Sequence, residues 1–147
     1  VTTIDFYTHV DEPLALAARL VTKAWGQHGG VRVLTSDAAS TDALDRMLWT
    51  QPATGFVPHC RLRSALAADT PIIVDHVAEH EGPAGVLINL TTSPPSFFAR
   101  FERLLEIVTR DDAQLAAARE RYRLYRQRGY ELHTHNFAER TERADRA

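Results

Sequence analysis

The 147-residue chain holds one cysteine, one methionine and one lysine: Cys60, Met47 and Lys23. A single thiol excludes an internal disulfide and argues against a Cys-based zinc site, and a reducing cytoplasm is the simplest compartment for such cysteine usage. No apolar run approaches the roughly 20 residues that span a bilayer, and no charged-then-apolar leader opens the sequence. A membrane partner is therefore not expected. Glycine is scarce where a nucleotide would need it. The loops "YTHVDEP" and "TSDAASTD", after the first two expected strands, contain none. Their acids also oppose the backbone cradle that P-loop and dinucleotide folds offer to phosphate.

What is present describes one ordinary domain. Hydrophobic residues make up 44% and charged residues 24%, enough to bury a core and too apolar for wholesale disorder. The net charge is −2, yet eleven of the seventeen basic residues lie after position 99, and all but Lys23 are arginine. Arginine's planar fork suits carboxylates and phosphates, which points to an anionic partner for the later half. The alternative is a solvated helix face.

Periodicity sets the order of elements. "TIDFYTH" reads as a strand. "DEPLALAARLVTKAWGQHGG" reads as a helix capped at Asp11, with Pro13 in its first turn and Leu14, Ala18, Val21 and Trp25 as its buried stripe. "VRVLTS" is a second strand. Ser40 or Thr41 is expected to cap a helix that turns Leu44, Met47 and Leu48 inward and stops at Pro52. "PATGFVPHCRLRSALAAD" reads as an irregular connection, and "PIIVDH" and "GVLINL" as buried strands. Ser93 and Pro94 are expected to open a helix with Phe97, Phe101, Leu104 and Val108 on one face. A last helix starts at Asp111, with Gln114 three residues on as in a capping box, and ends at Gly129 before the strand "YELHTH". Such alternation predicts an α/β fold: a single-domain sheet of mostly parallel strands with helices on both faces, Rossmann-like without a phosphate loop. Residues 1–137 form this domain, and the charged segment 138–147 is expected to be a flexible tail.

No catalytic constellation survives scrutiny. "HVAEH", from His76 to His80, matches the H-x-x-E-H zinc pattern, but it lies between two strands with Pro83 close behind, which leaves little room for the helix that chemistry needs, so a polar loop containing histidines is expected. His133 and His135 share one side of a strand and are expected to be solvent-facing rather than metal ligands. Cys60 and His59 point in opposite directions on an extended chain. Ser36 and Asp37 read as turn and cap residues, and the Asn89 sequon falls in a buried strand. No cofactor or metal is expected.

The stretch "ARERYRLYRQRGY" remains, with five arginines and three tyrosines in thirteen residues. On a helix, Arg119, Tyr122, Arg123 and Arg126 share a face, with Leu115 one turn earlier and Val108 nearby. Together they suit a peptide ending in an aromatic residue and a free carboxylate. A single-stranded nucleic acid, stacked and phosphate-paired, fits the same strip as an alternative. Tyr125, Arg121 and Arg128 fall outside that face and read as structural or solvating.

"ARERYRLYRQRGYEL" and "LDRMLWTQPATGFVPH", in this order, resemble the chi subunit family of bacterial DNA polymerase III holoenzyme. "TIDFY" and "GVLINL" fall in place with them, and the similarity runs to about Phe137. The resemblance implies a non-catalytic accessory subunit that associates with the clamp-loader complex. It would bind the acidic, Phe-terminated tail of single-stranded-DNA-binding protein (SSB), and so reach single-stranded DNA indirectly. Carried over by position, the tail site is Arg119, Tyr122 and Arg123, lined by Val108 and Leu115, with Arg126 on the same face. A psi-subunit interface would involve Trp49, Pro52 and Phe56. The segment from Arg61 to Ala84 follows the family loosely, and the tail after Phe137 goes beyond the family's usual end.

Overall fold

The structure is a computed structural model that describes residues 2–25, 30–50, 59–62, 64, 70, 72–80 and 85–138. Seven parallel strands form one sheet: β1 (Thr3–Thr8), β2 (Val31–Leu34), β3 (His59–Cys60), β4 (Ile72–Asp75), β5 (Val86–Asn89), β6 (Arg103–Ile107) and β7 (Glu131–Asn136). Their spatial order is β3-β4-β2-β5-β6-β1-β7. Helices α1 (Pro13–Trp25) and α2 (Ala38–Thr50) cover one face of the sheet. Helix α3 (Asp112–Gln127) and a 3-10 turn at Phe98–Arg100 cover the other. The expected α/β class holds, with every strand pair parallel.

Each face has its own core. Ala17, Ala18 and Val21 of α1 and Leu44 and Leu48 of α2 pack on Val31, Val33, Val74, Ile88, Leu105 and Ile107. Leu14 and Met47, expected inside, are only partly buried, and the Trp25 side chain lies outside the described residues. On the opposite face, Phe97, Phe98 and Phe101 join Ala118 and Tyr125 of α3 over Ile4, Phe6, Leu87 and Leu104.

Three sequence expectations need correction. The segment 94–108 is not a helix with Phe97, Phe101, Leu104 and Val108 on one face. It makes a single 3-10 turn and then enters the sheet as β6, with Val108 just past the strand's end. Leu104 faces α3 while Leu105 and Ile107 face α1, so the segment is apolar on both sides. A strand buried on both faces has no polar stripe, and over a short run it imitates a helix. The second helix begins earlier than Ser40 or Thr41. Asp37 accepts a hydrogen bond from the Ser40 backbone N–H at 2.8 Å, the N-cap contact, while the buried Thr41 hydroxyl donates back to the Asp37 carbonyl at 2.9 Å. Finally, the connection expected to be irregular contains β3, a two-residue strand on the sheet's edge.

One buried cation organises the β2–β4 side. Arg32 points out of the middle of β2 and donates to the carbonyls of Val33, Asp75, Val77 and Glu79. Burial lowers its guanidinium to about 10, and the nearby Asp75 opposes the shift. Its fork holds the bends after β4 in place, with no helix among the described residues 76–80.

Candidate functional site

Helix α3 is well delimited. Asp111 caps it by accepting from the Gln114 N–H at 3.1 Å, and the Gln114 side chain accepts from the Thr109 N–H at 3.2 Å. At the far end the Tyr130 N–H reaches the Tyr125 carbonyl at 3.2 Å, and Gly129 takes φ +85°, the glycine-terminated helix end that such a turn requires. Between these stops the helix is divided lengthwise. Ala118, Arg121 and Tyr125 face the sheet and are buried, while Arg119, Arg123 and Arg126 are exposed.

The buried side is anchored by Glu106 of β6, which has no exposed surface. Its carboxylate accepts from Tyr125 Oη at 2.7 Å, Arg121 Nε at 3.2 Å and Asn89 Nδ2 at 2.7 Å. Arg121 also donates to the Thr92 carbonyl at 2.7 Å. Arg121 is therefore a core residue, paired with a carboxylate on the strand beneath it. Tyr125 is structural, as expected.

The other side forms a pocket of about 440 Å³ between α3 and the carboxyl end of β1, the end of a parallel sheet at which α/β proteins place ligands. Leu115, Ala118, Arg119, Tyr122, Arg123 and Arg126 supply one wall. Phe6, Thr8 and His9 from the β1 end, with Thr134 of β7, supply the other. The Tyr122 ring rests on Phe6 at a centroid distance of 5.5 Å. Arg123 meets Glu120 at 3.2 Å in an exposed pair, an interaction too weak to hold the guanidinium away from a ligand. Arg119 and Arg126 have no acidic partner among the described residues. The site thus offers an apolar floor beneath three available guanidinium groups.

The structure brings Leu115, Arg119, Tyr122, Arg123 and Arg126 together as the sequence led us to expect. Val108 does not line the pocket. It is buried in the same apolar core that Leu115 packs against, and its backbone ties down the loop that carries His9. Phe6, Thr8, His9 and Thr134 were missed, because each read only as a strand residue and strand alternation does not show which strand ends meet a helix. Of the second group, Trp49 is exposed at 57%, with its ring 4.9 Å from that of His59. Pro52 and Phe56 lie outside the described residues.

The remaining polar motifs go to separate partners. His76 sits by Asp75 and Thr41, whereas His80 is buried against Phe97 and Phe101. His59 lies 3.1 Å from Asp45, and His135 lies 3.1 Å from Asp5. Among the described residues, no group of three or more His, Cys, Asp or Glu side chains is arranged to hold a metal ion. No described helix is long and apolar enough to cross a membrane.

Comparison with known proteins decides the family. The family described as "DNA polymerase III chi subunit, HolC" matches residues 1–133. The chain belongs to the DNA polymerase III chi-subunit family. It is 33% identical to the DNA polymerase III subunit chi of Pseudomonas aeruginosa over 138 residues, which cover 91% of this chain and 96% of that protein. It is 33% identical to the Haemophilus influenzae chi subunit over 124 residues, 82% of this chain and 85% of the other. With the Escherichia coli chi subunit it shares 28% over 134 residues, 90% and 89% of the two chains. The pocket built by β1, α3 and β7 lies almost wholly within the matched span.

Proposed function

We propose that the chain is a non-catalytic accessory subunit of the DNA polymerase III holoenzyme, and that its α3 pocket takes the acidic, aromatic-terminated tail of SSB. In this role it links the clamp-loader assembly to SSB-coated DNA. The observation that carries this reading is the pairing, in one pocket, of an apolar floor with the guanidinium groups of Arg119, Arg123 and Arg126. A terminal aromatic ring would bury against Phe6, Leu115, Ala118 and Tyr122. The carboxylates would take charge-assisted hydrogen bonds worth roughly 1.5–3 kcal/mol each. A chain with net charge −2 favours a compact carboxylate clamp over an extended phosphate track.

Trp49, with Pro52 and Phe56, is proposed as the psi-facing surface, and the exposure of the Trp49 ring supports that assignment. Residues 138–147 are proposed as a charged tail outside the domain. The deciding experiment titrates the chain with a synthetic acidic peptide ending in Pro-Phe, and separately with a bare oligonucleotide. Micromolar peptide binding that weakens with salt is expected. Oligonucleotide binding without peptide binding would overturn the reading. Arg119→Ala should weaken the peptide about tenfold or more; a silent substitution would refute the site.

A further inference from the structure

The chain leaves β1 through an unusual backbone. His9 has φ of 57°, and among the described residues no other non-glycine residue has positive φ. L side chains avoid this region, histidine less than most. The conformation is fixed from both sides: the Val108 N–H donates to the Tyr7 carbonyl at 2.8 Å, and the Val10 N–H donates to the Val108 carbonyl at 3.1 Å. Disfavoured backbone held this firmly is characteristic of binding sites. It delivers the imidazole to the pocket wall facing α3. Nδ1 lies 3.0 Å from Thr8 Oγ1, and Nε2 has no hydrogen-bond partner among the described residues.

The charges around this ring give it a two-sided character. From α3, Arg119, Arg123 and Arg126 line the same pocket, with the phenol of Tyr122; from β7 only the uncharged Thr134 does so. On its own connection lie Asp11 and Glu12, and Asp11 is held by Arg110, from the segment after β6, at 2.6 Å. The described lining residues thus bring three guanidinium groups and the ring to one pocket with no carboxylate among them. A bound carboxylate would supply the anion that this lining lacks.

We propose that His9 is a ligand contact of the α3 pocket, donating through Nε2 to a carboxylate of the bound acidic peptide, and that binding draws a proton onto the ring. The inference rests on the peptide-binding reading above. In the complex the imidazolium donates from Nδ1 to the Thr8 hydroxyl and from Nε2 to the peptide, and the added proton comes from solvent. Histidine is the side chain whose charge ordinarily changes between about pH 5 and 8, whereas the peptide's carboxylates stay ionised throughout that range.

The test is calorimetric titration of the full chain with the acidic peptide ending in Pro-Phe, at about pH 6 and about pH 8. Wild-type affinity should rise about threefold or more at the lower pH, with an apparent enthalpy that depends on the buffer's ionisation heat. His9→Gly removes the ring and keeps the turn, because glycine adopts positive φ without strain. It should bind with no pH slope and more weakly at low pH. His9→Asn, which also tolerates this backbone, should keep binding near the wild-type level at high pH and lose the slope. A wild-type slope that persists in His9→Gly, or its absence from the wild type, overturns the His9 proposal while the peptide reading stands. Failure of the wild-type chain to bind the peptide at either pH overturns both.

Discussion

Tyr125 donates its hydroxyl to Glu106 Oε2 at 2.7 Å, at a depth where neither residue has exposed surface. Burial pushes the Glu106 carboxyl above the ordinary carboxylate range, opposed by the Arg121 guanidinium and by the Tyr125 and Asn89 donors. Burial, reinforced by Glu106, also raises the Tyr125 hydroxyl, which remains a donor. The rear of α3 thus hangs on one carboxylate. Glu106→Gln strips the buried Arg121 of its counter-charge and should destabilise the fold by about 3–5 kcal/mol. Tyr125→Phe should cost about 1.5–3 kcal/mol. Urea denaturation monitored by circular dichroism measures both.

Two arginines on the same helix, two positions apart, should behave oppositely. Arg123→Ala removes an exposed pocket guanidinium; stability should change by less than about 0.5 kcal/mol, while peptide affinity falls about tenfold. Arg121→Ala leaves Glu106 buried without its cation and should lose about 3–5 kcal/mol of stability. Parallel denaturation and peptide titration of the two variants separate a binding role from an anchoring one.

Asp75 makes part of the stability acid-sensitive. Burial favours its neutral form, but the backbone N–H groups of Leu62 and Val77 and the Arg61 guanidinium together outweigh burial, so its folded value lies below the ordinary 3.8. The Leu62 contact measures 3.0 Å and the Arg61 contact 3.3 Å. A depressed carboxyl contributes stability that is fully present above its unfolded value and is lost as pH falls through the folded one. Denaturation midpoints of the wild type should therefore drop below about pH 4. Asp75→Asn should be less stable at neutral pH and show a shallower acid slope; an identical slope would refute the assignment.

Gly129 tests the end of α3. A Cβ added there would meet nothing within 4 Å, so Gly129→Ala introduces backbone strain without a clash. The expected loss is about 1–2 kcal/mol, read as a lower midpoint in differential scanning calorimetry, with peptide affinity nearly unchanged.

The parts of the fold with one polar and one apolar side were legible from residue order. Helices α1 and α3 carry stripes and stop signals, and the Asp111 cap and Gly129 terminus sit where the pattern put them. β6 was not legible, because Leu104, Leu105, Ile107 and Val108 leave no polar side to set a period. β3 is too short to show one. Within the candidate site, spacing on a helix found the guanidinium face and Tyr122. It could not find His9, which reaches the pocket through a turn fixed by the backbone of Val108, nor distinguish Arg121 from its solvated neighbours. That distinction depends on Glu106, fifteen residues away on a strand the pattern concealed.

The pairing of β1 with β7, from Thr3 against Glu131 to Thr8 against Asn136, has a consequence for synthesis. One wall of the pocket is made early by the ribosome and the other about a hundred residues later, so a nascent fragment ending before α3 has only one side of it. The pocket lining is complete only once Thr134 has joined the sheet beside Phe6 of β1. On the proposed reading, a product truncated before that point should not compete for the peptide.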